Sequence, residues 1–203
     1  MSFAEAGYEY LPGIFSPDTV SVLAKAVAQS PIDSSRSWKG PWLDTGQQAH
    51  LGICANIHKQ KDWQDAISQP VFQEHLQRIF PGGQCIRSMA IIKPAKTGQP
   101  FPWHQDSAYY GEGYSRMLIA TVYLDDVSDS NGSIEFIPGS HVNGRLPHYR
   151  DGKAFLQSIA ALNEPIRIQA KAGDVVLFDL YLVHGSKPNL SDKERRSVRL
   201  VFA

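Results

Sequence analysis

His104 and Asp106 stand two residues apart in Pro102-Trp103-His104-Gln105-Asp106, and His184 lies far downstream in Leu182-Val183-His184-Gly185-Ser186. Two imidazoles and one carboxylate are the donor set that holds non-haem Fe(II) on one face and leaves the other face open. Arg195 follows His184 by eleven residues. A guanidinium there offers a planar fork that grips a carboxylate through two parallel hydrogen bonds. Together these four residues imply a metal centre beside a clamp for a dicarboxylate. Those are the needs of an oxygenase using Fe(II), O2 and 2-oxoglutarate.

The elements that carry these groups must bring them to one place. Residues two apart in a strand point the same way, so His104 and Asp106 face one interior, with Trp103 and Gln105 off that face. Alone, a His-x-Asp pair is also a common loop fragment beside a turn. It gains weight from His184, which follows the strand-like run Asp174 to Phe178 and precedes Gly185, where backbones can approach closely. The histidines His50, His58, His75, His141 and His148 have no comparable partners in sequence.

The last strand-like run supports the clamp. Val198, Leu200 and Phe202 share one face and are expected to pack outward on helices. Arg195, Ser197 and Arg199 share the other face and are expected to line the interior. Buried guanidinium is costly unless paired, so this row asks for an anionic guest. Ser197 can give the same carboxylate a second hydrogen bond, and Ser186 shares a face with His184. Arg196 is assigned instead to a solvated charged turn, the usual fate of runs such as Lys193-Glu194-Arg195-Arg196. Trp103, Gln105, Ser107, Tyr109 and Tyr110 surround the metal motif and are the candidate substrate contacts, with Trp42 as further aromatic surface.

The rest of the chain describes a host for such a site. Its 203 residues suffice for one domain with a sizeable core, and 42% hydrophobic with 20% charged residues places it among soluble globular proteins. Lys plus Arg and Asp plus Glu are 20 each, so no basic field draws nucleic acid or an anionic membrane. No apolar run approaches the roughly 20 residues that span a bilayer. Met1-Ser2-Phe3-Ala4-Glu5 lacks the basic and apolar regions of a signal peptide, and Cys54 and Cys85 are the only cysteines. A cytoplasmic protein is the expectation.

Ser16-Pro17-Asp18 predicts a capped helix start, with Val20, Leu23, Ala24 and Val27 following at helical spacing. A second helix is predicted from near Pro70 to Phe80, ended by Pro81-Gly82-Gly83. Beyond Gln84 the pattern becomes β. Cys85 to Ile92, Met117 to Leu124, Ser133 to Ile137, Pro165 to Ile168, Asp174 to Phe178 and Arg196 to Phe202 read as short strands. Asn131-Gly132 reads as a tight turn between two of them. Residues 1–203 are therefore expected to be one domain, helical over about 1–83 with a β barrel or sandwich over about 84–203. The segment Val142 to Glu164 is long for a connection. It holds Arg145, His148, Tyr149, Arg150 and Lys153, and is a candidate lid over an anionic substrate.

With these residues in view, the chain resembles the phytanoyl-CoA dioxygenase family of Fe(II)/2-oxoglutarate oxygenases. The match runs in order through Gly13-Ile14-Phe15-Ser16-Pro17, Trp103-His104-Gln105-Asp106, Leu124-Asp125-Asp126 and Asn131-Gly132-Ser133. It continues through Phe136-Ile137-Pro138-Gly139-Ser140-His141, Gly173-Asp174-Val175, His184-Gly185-Ser186 and Arg195. The resemblance implies a double-stranded β-helix with iron on His104, Asp106 and His184. It implies 2-oxoglutarate held by Arg195 and Ser186, with Met89 as a wall contact and Lys93 as a candidate for the lysine that some relatives use near the cosubstrate. It implies hydroxylation of a small molecule, with release of succinate and CO2. The carboxylate of Asp106 favours hydroxylation, desaturation or ring chemistry over halogenation, since related halogenases carry a small residue there. Thr121 stands where many relatives carry a Trp. The competing readings are a non-catalytic binding module on the same barrel and a cupin-type metal enzyme that does not use 2-oxoglutarate.

Overall fold

A computed structural model of the chain describes residues 1–32, 52–96, 100–110, 114, 116–150, 154–156 and 158–203. In chain order the elements are α1 (Phe3–Ala6), β1 (Tyr8–Leu11), α2 (Pro17–Ala28), β2 (Gly52–Ala55), α3 (Lys61–Ile67), α4 (Pro70–Ile79), β3 (Cys85–Lys93) and β4 (Phe101–His104). There follow β5 (Leu118–Tyr123), β6 (Ile134–Phe136), β7 (Tyr149–Arg150), β8 (Ala154–Phe155), β9 (Ile166–Arg167), β10 (Val175–Asp179), β11 (His184–Ser186) and β12 (Arg195–Phe202).

Two antiparallel sheets dominate. The larger has the order β1-β10-β5-β12-β3-β2, and the smaller has the order β4-β11-β6-β9. A two-stranded β7-β8 ladder belongs to neither sheet. The small sheet closes against one face of the large one, giving the expected double-stranded β-helix. Leu118 to Tyr123 is buried at every position, as a strand with protein on both faces requires.

The helices cover the outer face of the large sheet. Ser16 caps α2 by accepting the Thr19 N–H at 3.2 Å, and Pro17 occupies the first turn. Val20, Leu23 and Val27 then turn inward, where Leu23, Phe72, Leu76 and Trp63 meet Val198, Leu200 and Phe202 in one core cluster. Burial of each such side chain contributes roughly 1.5–3 kcal/mol. Val198, Leu200 and Phe202 face outward as their alternation requires, which sends Arg195, Ser197 and Arg199 inward. A second cluster, with Ile119, Phe136, Val176, Phe178, Leu182 and Val201, packs between the sheets.

Three expectations change. The segment up to residue 83 is not purely helical, because β1 and β2 form the two edge strands of the large sheet. Their pairing partners, β10 and β3, are distant in sequence, so short runs with no local turn signal give little hint of them. A further short helix, α3, precedes the predicted second helix. Asn131-Gly132 is not a two-residue hairpin: β5 and β6 lie in different sheets, and the Asn131 side chain ties the crossover by donating to Asp126 O and accepting from Ser128 N–H. Cys54 and Cys85 are both free thiols. Among the described residues no helix is long and apolar enough to cross a membrane.

Candidate active site

His104 and His184 are direct register partners across the antiparallel β4–β11 pair. Side chains at such positions point the same way and lie close, so the two rings come within 4.0 Å, centroid to centroid. Gly185 permits this approach of the strands, since a Cβ there would stand 2.9 Å from the Phe101 carbonyl oxygen. Asp106 does not sit in the strand. β4 ends at His104, and Asp106 opens a single 3-10 turn, Asp106–Ala108. The convergence survives this change of geometry. Asp106 Oδ1 lies 3.6 Å from His104 Nε2 and 3.7 Å from His184 Nε2, with all three residues buried.

The rings are oriented from behind. Each Nδ1 faces the carbonyl two residues back, Pro102 O at 2.8 Å for His104 and Leu182 O at 2.9 Å for His184. A carbonyl accepts only, so Nδ1 carries the proton and each Nε2 turns a lone pair toward Asp106. Burial, then the neighbouring His104, pushes the His184 imidazole well below its ordinary pKa, which keeps it neutral. Burial favours a neutral Asp106, but the Arg199 guanidinium, His184 and His104 together outweigh it and hold the carboxyl well below the usual carboxylate range. Two imidazoles and one carboxylate, with ligand atoms within 4.8 Å of one another, fit a divalent Fe(II) ion.

A cationic end adjoins the triad along the inner face of β12. Arg195 is buried, and its Nη1 donates to Ser197 Oγ at 2.8 Å. Its Nε and the nearby Tyr123 hydroxyl have no hydrogen-bond partner among the described residues. Burial pushes the Arg195 guanidinium below its ordinary pKa, the mark of a charge held without a full counter-ion. Lys93 is the register partner of Arg195 on β3. Its Nζ donates to Ser186 Oγ at 2.8 Å and to the Lys187 carbonyl. This donor set fits the far carboxylate of a dicarboxylate. Arg196 instead turns out to Asp125, making Nε and Nη2 contacts of 2.9 and 2.7 Å.

The other candidates divide. Met89 faces the chamber opposite Arg199. The Tyr109 ring meets His104 edge-on at 5.7 Å. Tyr110 lies under Arg87, and burial, followed by the Asp106 charge, raises its pKa to about 12. Trp103 packs instead across Gly185, on the opposite face of β4 from His104. Gln105 is fully buried. Its amide donates to Gly144 O and Tyr181 O and accepts the Leu146 N–H, so it is a loop anchor and not a substrate contact. Amide chemistry alone could not separate those roles.

The same anchor constrains the candidate lid. The backbone N–H of Gln105 donates to His148 Nε2, and Leu156 N–H donates to Trp103 O. The segment is thus tied to both sides of the metal motif, and Phe155 brings its ring to 6.4 Å from His104. Trp42, His50 and Lys153 lie outside the described residues. One group at the site, Tyr123, carries no assignment from sequence, whereas the sequence places Arg199 on the inner face and Thr121 at the position of the relatives' Trp. Pairing of β5 with β12 sets Thr121 opposite Arg199 and Tyr123 opposite Ser197, which no local pattern specifies. A groove of about 520 Å³ between α2 and Arg196 contains none of these groups.

Comparison with known proteins identifies this arrangement. The family model described as phytanoyl-CoA dioxygenase matches residues 3–197. The chain belongs to that family. It is 31% identical, over 99% of its own length and 76% of the relative's, to a probable alpha-ketoglutarate-dependent hypophosphite dioxygenase of Stutzerimonas stutzeri. It is 29% identical to the ectoine dioxygenase of Sphingopyxis alaskensis, over 99% of this chain and 73% of the relative. Among solved structures, EctD of S. alaskensis with 2-oxoglutarate and 5-hydroxyectoine superimposes with a TM-score of 0.78 at 24% identity, covering 98% and 73% of the two chains. This phytanoyl-CoA dioxygenase family member is an Fe(II)- and 2-oxoglutarate-dependent dioxygenase, and its mostly β fold is that of its structural neighbours.

Proposed function

We propose that this dioxygenase hydroxylates a C–H bond of a small polar molecule and releases succinate and CO2. In this reading His104, Asp106 and His184 hold Fe(II), and Arg195 with Ser197 holds the far carboxylate of 2-oxoglutarate. The observation that carries it is the placement of the three ligand atoms, within 4.8 Å of one another, on the chamber that also receives the unsatisfied Arg195 guanidinium. Iron with 2-oxoglutarate supplies, when bound, the O2-dependent oxidation.

The chain's own residues supply orientation and exclusion of water. Carbonyls Pro102 O and Leu182 O lock both imidazoles. Arg195 and Ser197 fix one end of the cosubstrate, with the Tyr123 hydroxyl as a third donor and Lys93 orienting Ser186. Phe178, with its ring 5.0 Å from His184, and Phe155 keep water from that wall. Tyr109 and Tyr110 border the side where a substrate would meet the triad. The relatives' named substrates, hypophosphite and ectoine, are small and polar, which suits such a site.

The test is succinate formation with Fe(II), 2-oxoglutarate and O2, screened against amino acids, phosphonates, acyl thioesters and natural-product intermediates. A trigger compound should raise succinate output and gain one oxygen atom. Succinate output that is indifferent to iron removal would sink the reading.

A further inference from the structure

We infer that the primary substrate carries an acidic group and that Arg199, with Thr121, is the subsite that receives it. The inference rests on the dioxygenase reading above and names the substrate class for that same site.

Arg199 and Thr121 are register partners on β12 and β5, and both face the chamber. Both are largely or fully buried, and each holds a polar atom without a partner among the described residues, Arg199 Nε and Thr121 Oγ1. Two adjacent orphaned donors on rigid central strands make a built site for an oxyanion, because buried donors without acceptors are costly. The guanidinium lies beside the triad. Its Nη1 is 3.0 Å from Asp106 Oδ1, and its Nη2 is 3.4 Å from His184 Nε2. Once the His184 lone pair serves the metal, Nη2 needs another acceptor.

Charge points the same way. The divalent metal and Arg195 together carry three positive charges. Asp106 and a 2-oxoglutarate dianion carry three negative ones. Arg199 is therefore surplus. Arginine stays charged even when buried, so one acidic group on the substrate closes the balance.

The probes are methylphosphonate and acetate, with acetamide as the neutral match of acetate. They are titrated by calorimetry into enzyme loaded anaerobically with Fe(II) and 2-oxoglutarate, and loading is read from the visible charge-transfer band. Both anions should bind saturably and acetamide should not. Arg199→Met should weaken the anions by roughly 10- to 100-fold, the weight of a charge-assisted hydrogen bond. Thr121→Val, which replaces no metal neighbour, should weaken them by roughly 3- to 10-fold. Equal anion affinity in Thr121→Val and wild type overturns the subsite even if Arg199→Met fails to fold or to hold iron. Anion binding that competes with 2-oxoglutarate also overturns it, because the guest would then occupy the Arg195 pocket. A missing charge-transfer band in wild type refutes the dioxygenase reading itself, an outcome separate from the other two.

Discussion

Replacing Arg195 by Leu should separate binding from stability. Arg195 is buried, its Nε has no partner among the described residues, and burial depresses its pKa. The apo fold therefore carries an under-compensated charge. Removing such a charge and filling the space with an apolar side chain is often neutral or stabilising. The melting temperature should hold or rise. Cosubstrate binding should move the opposite way. Losing a desolvated, charge-assisted partner costs on the order of 2–5 kcal/mol, and each 1.4 kcal/mol is tenfold, so 2-oxoglutarate affinity should fall by roughly 30- to several-thousand-fold. Arg196→Leu is the control. It removes a partly buried contact to Asp125 on the outer side, worth on the order of 1 kcal/mol of stability, and should leave 2-oxoglutarate affinity alone. Calorimetric titration and thermal melts on both variants give the four numbers. A larger affinity loss in Arg196→Leu would mean that the inward face of β12 is wrong by one residue, and the cationic pocket with it.

His104→Ala, Asp106→Ala and His184→Ala should each lose Fe(II) while keeping the β circular-dichroism signature, since three ligands leave little redundancy; full iron stoichiometry in any one removes that residue from the site. Gln105→Leu strands Gly144 O, Tyr181 O and Leu146 N–H, which should cost about 3 kcal/mol and lower the melting temperature by roughly 6–12 °C. It should also speed proteolysis around 144–150, and unchanged cleavage there would argue against the anchor. Tyr10 has its pKa raised to about 12 by burial and by its hydrogen bond to Asp174. A raised folded-state value means this contribution is whole below pH 10 and is lost as pH rises toward 12. The stability difference between wild type and Tyr10→Phe should shrink over that window, and a constant difference would show that Tyr10 holds its proton no better folded than unfolded.

Much of the frame was legible in the residues because it rests on local rules. Ser16-Pro17 marks α2 through its cap, and the alternation along β12 assigns Val198, Leu200 and Phe202 to the helices and Arg195 to the chamber, whatever lies around them. The donor types and their order named the metal chemistry for the same reason: ligand preference belongs to the side chain. The tertiary structure decided what depends on partners distant in sequence. Asp106 joins the triad from a 3-10 turn instead of a strand, held in place by what surrounds it. His104 and His184 meet because β4 and β11 pair in one register out of many, which no local pattern specifies. Gln105 became an anchor because Gly144, Leu146 and Tyr181 surround it, and Arg199 reached Asp106 across 93 residues of sequence. An amide or a guanidinium carries many possible roles, and only the atoms packed against it select one.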